Sequence, residues 1–248
     1  MKVTIDRREV IVEKKETILA LAVKLNIEIP TLCHHHGLEA YGGCRLCIVE
    51  VEKNGRKKLD TACTRYLEDG MIITTSTEEI VEKRKLIAEL LLARIPDSKE
   101  LKEKFQKIGV TKSRFESDNY QCLLYCGKCI RVCKEKMGIE AISFIGRGYK
   151  TRVGTPFFID SEVCIGCGAC AEICPIGTIK VKDEDSTRYI EYFNTSIELK
   201  KCKECGKFFS TKKIIEKLQK DYSNKTDFDL CEECKKNEAM LKFRRVKI

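Results

Sequence analysis

The chain has 248 residues, 16 cysteines and a formal charge of +9, a length that allows two or three small domains. Its longest apolar stretch, Ile87 to Ile95, is too short for a bilayer and carries Glu89 and Arg94, and Met1 to Ile5 enters a strand pattern rather than a secretory leader. The expectation is a soluble, cytoplasmic protein with no membrane insertion, in a reducing compartment that leaves thiols unpaired.

The cysteines fall in four groups of four, at 33–63, 122–133, 164–174 and 202–234. Metal centres need such grouping and disulfide frameworks do not. Sixteen ligating thiolates contribute −16, and four centres of about +2 return about +8, so the loaded chain sits near neutrality. Most of the basic excess is therefore counter-charge for anionic centres. Residues 200–248 remain basic, with 15 Lys and Arg against 8 Asp and Glu.

Residues 1–75 read as a small mixed α/β domain. Val3, Ile5, Val10 and Val12 predict two strands around Asp6-Arg7-Arg8. Thr17 caps a helix whose apolar face is Ile18, Leu21, Ala22 and Leu25, with Asn26 at its end. Leu46 to Val51 and Leu59 to Cys63 form strands about an Asn54-Gly55 turn, and Met71 to Ile73 closes the unit. The cysteine order is Cys33-x10-Cys44-x2-Cys47-x15-Cys63. It keeps the central pair and distant fourth ligand of plant-type 2Fe–2S ferredoxins but lengthens the first gap. Gly42-Gly43 lets the main chain lie close to a flat rhomb; a zinc site in the same loop is the alternative. His34, His35 and His36 are read as loop residues beside the centre, since four cysteines already supply the ligands.

Residues 76–119 hold neither Cys nor His. Ser76-x-x-Glu79 predicts a capping box, followed by a helix through Arg94, a break at Pro96-Asp97-Ser98 and a second helix from Lys99 to Ile108. The segment is a helical connector or docking element.

Residues 120–182 carry the most specific signal. Cys164-x2-Cys167-x2-Cys170-x3-Cys174-Pro175 has the spacing of a bacterial 4Fe–4S ferredoxin. Three thiolates on one loop reach three corners of a cube, with small Gly166, Gly168 and Ala169 letting the chain wrap it. The fourth cysteine of each run lies too far along to close the same cube. Cys122, Cys126, Cys129 and Cys174 are therefore expected on one cluster, and Cys164, Cys167, Cys170 and Cys133 on the other. The first run has one residue too many between Cys122 and Cys126, which a bulge has to absorb. Between the runs, Ile142 to Ile145 predicts a strand, Gly146-Arg147-Gly148 a turn and Thr155 to Ile159 a returning strand.

Residues 183–248 form a four-cysteine tail. Cys202-x2-Cys205-Gly206-Lys207-Phe208 resembles a zinc knuckle, and Cys231-x2-Cys234 supplies a second pair. Ile214, Ile215, Leu218 and Tyr222 predict a helix between them. Zinc is the expected metal, with a further iron–sulfur or single-iron centre as the alternative.

Ile29-Pro30-Thr31-Leu32-Cys33, Tyr41-Gly42-Gly43-Cys44-Arg45-Leu46-Cys47, Ala62-Cys63-Thr64 and Asp69-Gly70-Met71 resemble the N-terminal domain of the complex I large iron–sulfur subunit. That module also occurs in multimeric hydrogenases and NAD-linked formate dehydrogenases. Cys129-Ile130-Arg131-Val132-Cys133, Ala141 to Phe144 and Gly146-Arg147-Gly148 resemble the dicluster domain of the same family. The likeness covers about residues 1–182. It departs from the family at 76–119, which cannot supply the usual His-plus-three-Cys cluster, and at the tail, which replaces the large catalytic domains.

The chain is thus most similar to short relay subunits of soluble NAD(P)-linked, including bifurcating, nickel–iron hydrogenases. The resemblance implies an α+β chain: a β-grasp 2Fe–2S domain, a dicluster 4Fe–4S domain and a zinc-ribbon-like tail. It also implies a flavin- and NAD(P)-binding subunit on one side and a hydrogenase or dehydrogenase module on the other. Within the chain there is no G-x-G-x-x-G or P-loop, so the subunit itself is expected to be non-catalytic. The alternatives are a subunit of an NAD-linked formate dehydrogenase or transhydrogenase complex, or a redox-sensing zinc-ribbon nucleic-acid binder.

The spacings predict about ten iron atoms per chain, from one 2Fe–2S and two 4Fe–4S centres, with zinc in addition. Elemental analysis of anaerobically purified protein checks this. Iron near four per chain, with no 2Fe–2S spectrum, overturns the scheme.

Overall fold

Asp6 and Arg7 both take positive φ, reversing the chain between β1 (Lys2–Ile5) and its antiparallel partner β2 (Arg8–Ile11). The same device recurs at Asn54 and Gly55, which join β3 (Ile48–Lys53) to β4 (Arg56–Thr61). Short β5 (Ile72–Thr74) pairs parallel with β1 and antiparallel with β3. The five strands make one mixed sheet of order β2-β1-β5-β3-β4. In β1, β3 and β5 alternate residues Val3, Ile5, Val49, Val51 and Ile73 point into the core. Helix α1 (Ile18–Lys24), capped by Thr17, covers that face with Ile18, Leu19, Leu21 and Ala22.

This computed structural model describes residues 1–117, 120–222 and 228–245. The expected 119/120 boundary and the last three residues of the tail lie outside them. The chain divides into two units, Met1–Arg131 and Val132–Ile248. Among the described residues no helix is long and apolar enough to cross a membrane.

In the first unit, α2 (Glu78–Arg94) packs on β3 and on α3 (Lys99–Gln106). Arg84 of α2 is buried and donates to the Ile48 carbonyl at 2.6 Å. Leu91 and Leu92 of α2 and Leu101 and Phe105 of α3 are also buried. The expected capping box is displaced by one residue. Thr77 takes the extended N-cap conformation and its hydroxyl accepts from the Ile80 amide, leaving Ser76 exposed outside the helix. The second helix stops at Gln106 rather than Ile108, where Gly109 turns the chain at positive φ. The unit ends in α4 (Lys128–Arg131).

The second unit opens with a wide helical turn, Val132–Lys136. A two-stranded ribbon follows, β6 (Ser143–Ile145) with β7 (Arg152–Gly154). The return strand expected at Thr155–Ile159 does not form. Those residues make a tight 3-10 turn begun by Pro156, which has no amide to give a ladder, with Phe157 and Phe158 at positive φ. After α5 (Ala169–Glu172) comes a four-stranded sheet of order β11-β10-β9-β8. Its strands are β8 (Val181–Glu184), β9 (Thr187–Ile190), β10 (Thr195–Lys201) and β11 (Phe208–Thr211). Helices α6 (Lys212–Asp221), capped by Thr211, and α7 (Glu232–Arg245) complete the unit.

Because Thr77, not Ser76, closes the first turn of α2, Thr77→Ala is expected to cost about 1 kcal/mol. Ser76→Ala is expected to leave the urea midpoint unchanged. Anaerobic urea titrations of the two variants check the assignment.

Candidate metal centres

The first site is built from the loop after α1 and the end of β4. Cys33, Cys44, Cys47 and Cys63 are each at most 4% exposed, and Cys47 and Cys63 belong to the hydrophobic core itself. Their sulfurs converge. Cys47 Sγ lies 3.3 Å from Cys63 Sγ, and the Cys33 amide donates to Cys44 Sγ at 3.4 Å. Hydrogen bonds from the Cys44 and Cys63 thiols hold Cys33 far below the usual thiol range. The Cys63 thiol brings Cys47 down to about 7. Cys44 and Cys63, which supply those bonds, are pushed up. Four buried thiols thus compete for negative charge in one place, which a cationic iron–sulfur core relieves; the set fits a 2Fe–2S group. The three histidines lie alongside. His35 and His36 stack at 4.4 Å, and His35 Nδ1 accepts from the Gly37 amide, closing the loop.

Cys122, Cys126 and Cys129 lie on the last segment of the first unit. The surplus residue is absorbed at Leu124, whose φ of 54° kinks the loop and whose amide donates to Cys122 Sγ at 3.3 Å. Cys126 and Cys129 are buried, and Cys129 is carried by α4. Arg94 of α2 donates to the Cys122 carbonyl at 3.3 Å. Cys174, the fourth ligand expected for this set, belongs to the second unit.

The second unit contains an apolar cavity lined by Cys133, Cys164, Cys167 and Cys170 together. Cys133 is brought in by the wide turn and the other three by the loop and first turn of α5. Burial pushes the Cys133 and Cys164 thiols up. Burial, then the charges of Cys167, Cys164 and Cys133, push Cys170 up to about 12. Main-chain amides of Ala141 and Ile142 favour the thiolate of Cys133 and oppose that trend. Four thiols facing one apolar cavity cannot readily ionise together without a compensating cation, so this donor set fits a 4Fe–4S group.

Sequence reasoning missed the walls of this cavity. Ile190, Phe193 and Thr195 come from β9, β10 and the turn between them. Arg188 of β9, paired with Asp183, donates to the Gly166 carbonyl at 2.9 Å. Thr211 donates to the Ile165 carbonyl at 2.5 Å. Gly166 has a φ of 70°, and a Cβ there would come within 2.8 Å of Thr211 Cγ2. These residues are polar or ordinary apolar ones, far along the chain from the motif, and no local pattern marks them.

The same sheet carries the last site. Cys202 and Cys205 sit at the turn between β10 and β11, and Cys231 and Cys234 at the start of α7. All four sulfurs lie within 4.8 Å of one another, with Cys205 and Cys231 at 3.8 Å. A tetrahedron of metal–sulfur bonds of about 2.3 Å has edges of about 3.8 Å. The Cys231 amide donates to Cys202 Sγ at 3.3 Å. Amides of Cys205 and Cys231 draw the Cys202 thiol down to about 6, whereas burial and the three neighbouring thiols push Cys234 up. The set fits a single tetrahedral metal ion.

Residues 1–78 match the 2Fe-2S iron-sulfur cluster binding domain and residues 157–180 the 4Fe-4S binding domain. An NADH-quinone oxidoreductase subunit of Rhizobium meliloti is 33% identical over 205 residues, 72% of this chain and 24% of its own. The NADPH-Fe(3+) oxidoreductase alpha subunit of Geobacter sulfurreducens is 32% identical over 206 residues, again 72% and 24%. An NADP-reducing hydrogenase subunit of Solidesulfovibrio fructosivorans is 28% identical over 212 residues, 72% of this chain and 36% of that one. The chain therefore spans only about a quarter to a third of the curated relatives it matches. A crystal structure of NAD+-reducing [NiFe]-hydrogenase in the H2-reduced state aligns with a TM-score of 0.59 at 25% identity, covering 71% of this chain and 85% of that one. The expected resemblance is borne out, and with it the presence of 2Fe–2S and 4Fe–4S binding domains.

Because Cys133 faces the same cavity as Cys164, Cys167 and Cys170, Cys133→Ser is expected to convert that centre to a three-iron form or lose it. Anaerobic EPR and iron analysis check this. A spectrum in which the disturbed centre is the one held by Cys122, Cys126 and Cys129 overturns the grouping.

Proposed function

We propose that this chain, similar to subunits of an NADH-quinone oxidoreductase, an NADPH-Fe(3+) oxidoreductase and an NADP-reducing hydrogenase, is a non-catalytic electron-transfer subunit of a cytoplasmic multisubunit complex. It carries one-electron equivalents between a flavin- and NAD(P)-binding subunit and a hydrogenase module. The observation that carries this reading is the cavity shared by Cys133 and Cys164, Cys167 and Cys170. Two cysteine runs contribute to one small apolar site, which suits outer-sphere transfer and leaves a substrate little room. The 85% coverage of a chain of an NAD+-reducing hydrogenase supports the choice of partner.

On this reading Cys33, Cys44, Cys47 and Cys63 hold a 2Fe–2S cluster in a β-grasp domain. Cys122, Cys126, Cys129 and Cys174 hold one 4Fe–4S cluster, and Cys164, Cys167, Cys170 and Cys133 a second. When bound, such centres accept and release single electrons. The chain's own part is to exclude water, fix the ligands and aim amides at sulfur, which sets the potentials. Cys202, Cys205, Cys231 and Cys234 hold zinc in a ribbon-like module that carries no electrons. Lys200, Lys207, Lys212 and Lys236 pair with Asp229, Glu233, Glu198 and Glu232, an arrangement that gives nucleic-acid binding no particular support.

A second reading keeps the relay and replaces the hydrogenase with a dehydrogenase module. The 32% identity to a subunit of an NADPH-Fe(3+) oxidoreductase favours it.

Anaerobic affinity capture from the native host is expected to recover a flavoprotein able to oxidise NAD(P)H together with a hydrogenase subunit. A dehydrogenase in place of the hydrogenase selects the second reading. Recovery of nucleic acid alone, lost as salt is raised, overturns both.

A further inference from the structure

Arg131 is the last residue of α4, two positions beyond Cys129. Its guanidinium donates to three main-chain carbonyls: Glu39 at 2.7 Å, Cys33 at 2.5 Å and Cys126 at 3.4 Å. The Cys33 and Cys126 bonds leave the same nitrogen, Nη2, which keeps the two oxygens within about 6 Å of each other. Cys33 belongs to the first metal site and Cys126 to the next. The guanidinium also lies over the Tyr41 ring, 5.1 Å from its centroid.

A separate contact brings the same two loops together. A Cβ on Gly43 would lie 2.7 Å from the Tyr125 carbonyl oxygen. Gly43 directly precedes Cys44, and Tyr125 directly precedes Cys126. The two cysteine loops thus meet main chain to main chain, with Arg131 joining them at a second point.

We propose that Arg131 is the positioning residue of this junction: it fixes the gap between the 2Fe–2S site and the Cys122, Cys126 and Cys129 site, and its charge raises the potential of both. The inference rests on the reading that these cysteines hold iron–sulfur clusters. A guanidinium stays charged at any working pH, and its planar fork serves several acceptors at once. Carbonyl acceptors orient that charge without cancelling it. A positive charge held beside two anionic sites favours the more negative, reduced state of each. An ammonium group supplies the charge but not the fork.

The test is an anaerobic EPR-monitored redox titration of the holoprotein and two variants. Arg131→Gln is expected to shift the midpoints of the 2Fe–2S centre and of one 4Fe–4S centre downward together. Arg131→Lys is expected to keep both midpoints but to lose part of the mutual line broadening of the two reduced centres, which reports their spacing. Wild-type midpoints and broadening in iron-replete Arg131→Gln overturn the inference alone. If Arg131→Gln does not retain iron, Arg131→Lys decides: reduced broadening at unshifted midpoints supports the inference, and unchanged broadening overturns it. Absence of the 2Fe–2S or 4Fe–4S signals from the wild-type holoprotein overturns both the inference and the reading beneath it.

Discussion

Buried thiols crowded into small volumes are the constraint on which this chain depends. A buried thiolate is costly, and a second one beside it is costlier. Cys44 and Cys63 in the first unit, and Cys170 and Cys133 in the second, are all driven toward the neutral form by burial and by their neighbours. Cationic cores held at these sites would relieve that crowding. Metal loading would then be coupled to folding, as it is in small metal-bound domains.

The chain meets that constraint with main-chain amides. Leu124 donates to Cys122, Cys33 to Cys44 and Cys231 to Cys202, and Ala141 and Ile142 favour the Cys133 thiolate. Each such bond lowers the cost of negative charge on sulfur while fixing the direction of the ligand. The loops that supply these amides turn sharply, which explains the left-handed residues at Arg45 and Leu124 and the glycine at 166.

The sheet of the second unit joins two chemistries. One end of β10 and β11 carries the tetrahedral set around Cys202. Elsewhere Phe193, Thr195 and Thr211 wall or brace the loop of Cys164 to Cys170. A metal held by the tail would therefore steady strands that also shape the cavity. The Phe157–Ile159 turn before Cys164 leaves large apolar side chains exposed, a consequence of a proline where a ladder amide would otherwise stand.

The candidate ligands were legible in the sequence alone. Cysteine spacing is a local property, and a tight loop reaches three corners of one cube whatever surrounds it. The same holds for the Asn54-Gly55 turn, the Thr17 cap and the apolar faces of α1 and α6, each decided within a few residues. Thr77 displaced Ser76 as the cap because both can serve and only packing of Ile80 into the core sets the helix's first turn. Pro156 turned an expected strand into a 3-10 turn because it has no ladder amide and Phe157 and Phe158 after it take positive φ. Arg131, Arg188 and Thr211 act across 22 to 98 positions of sequence. Their partners are main-chain carbonyls, which carry no side-chain signature, so only the tertiary structure could assign them.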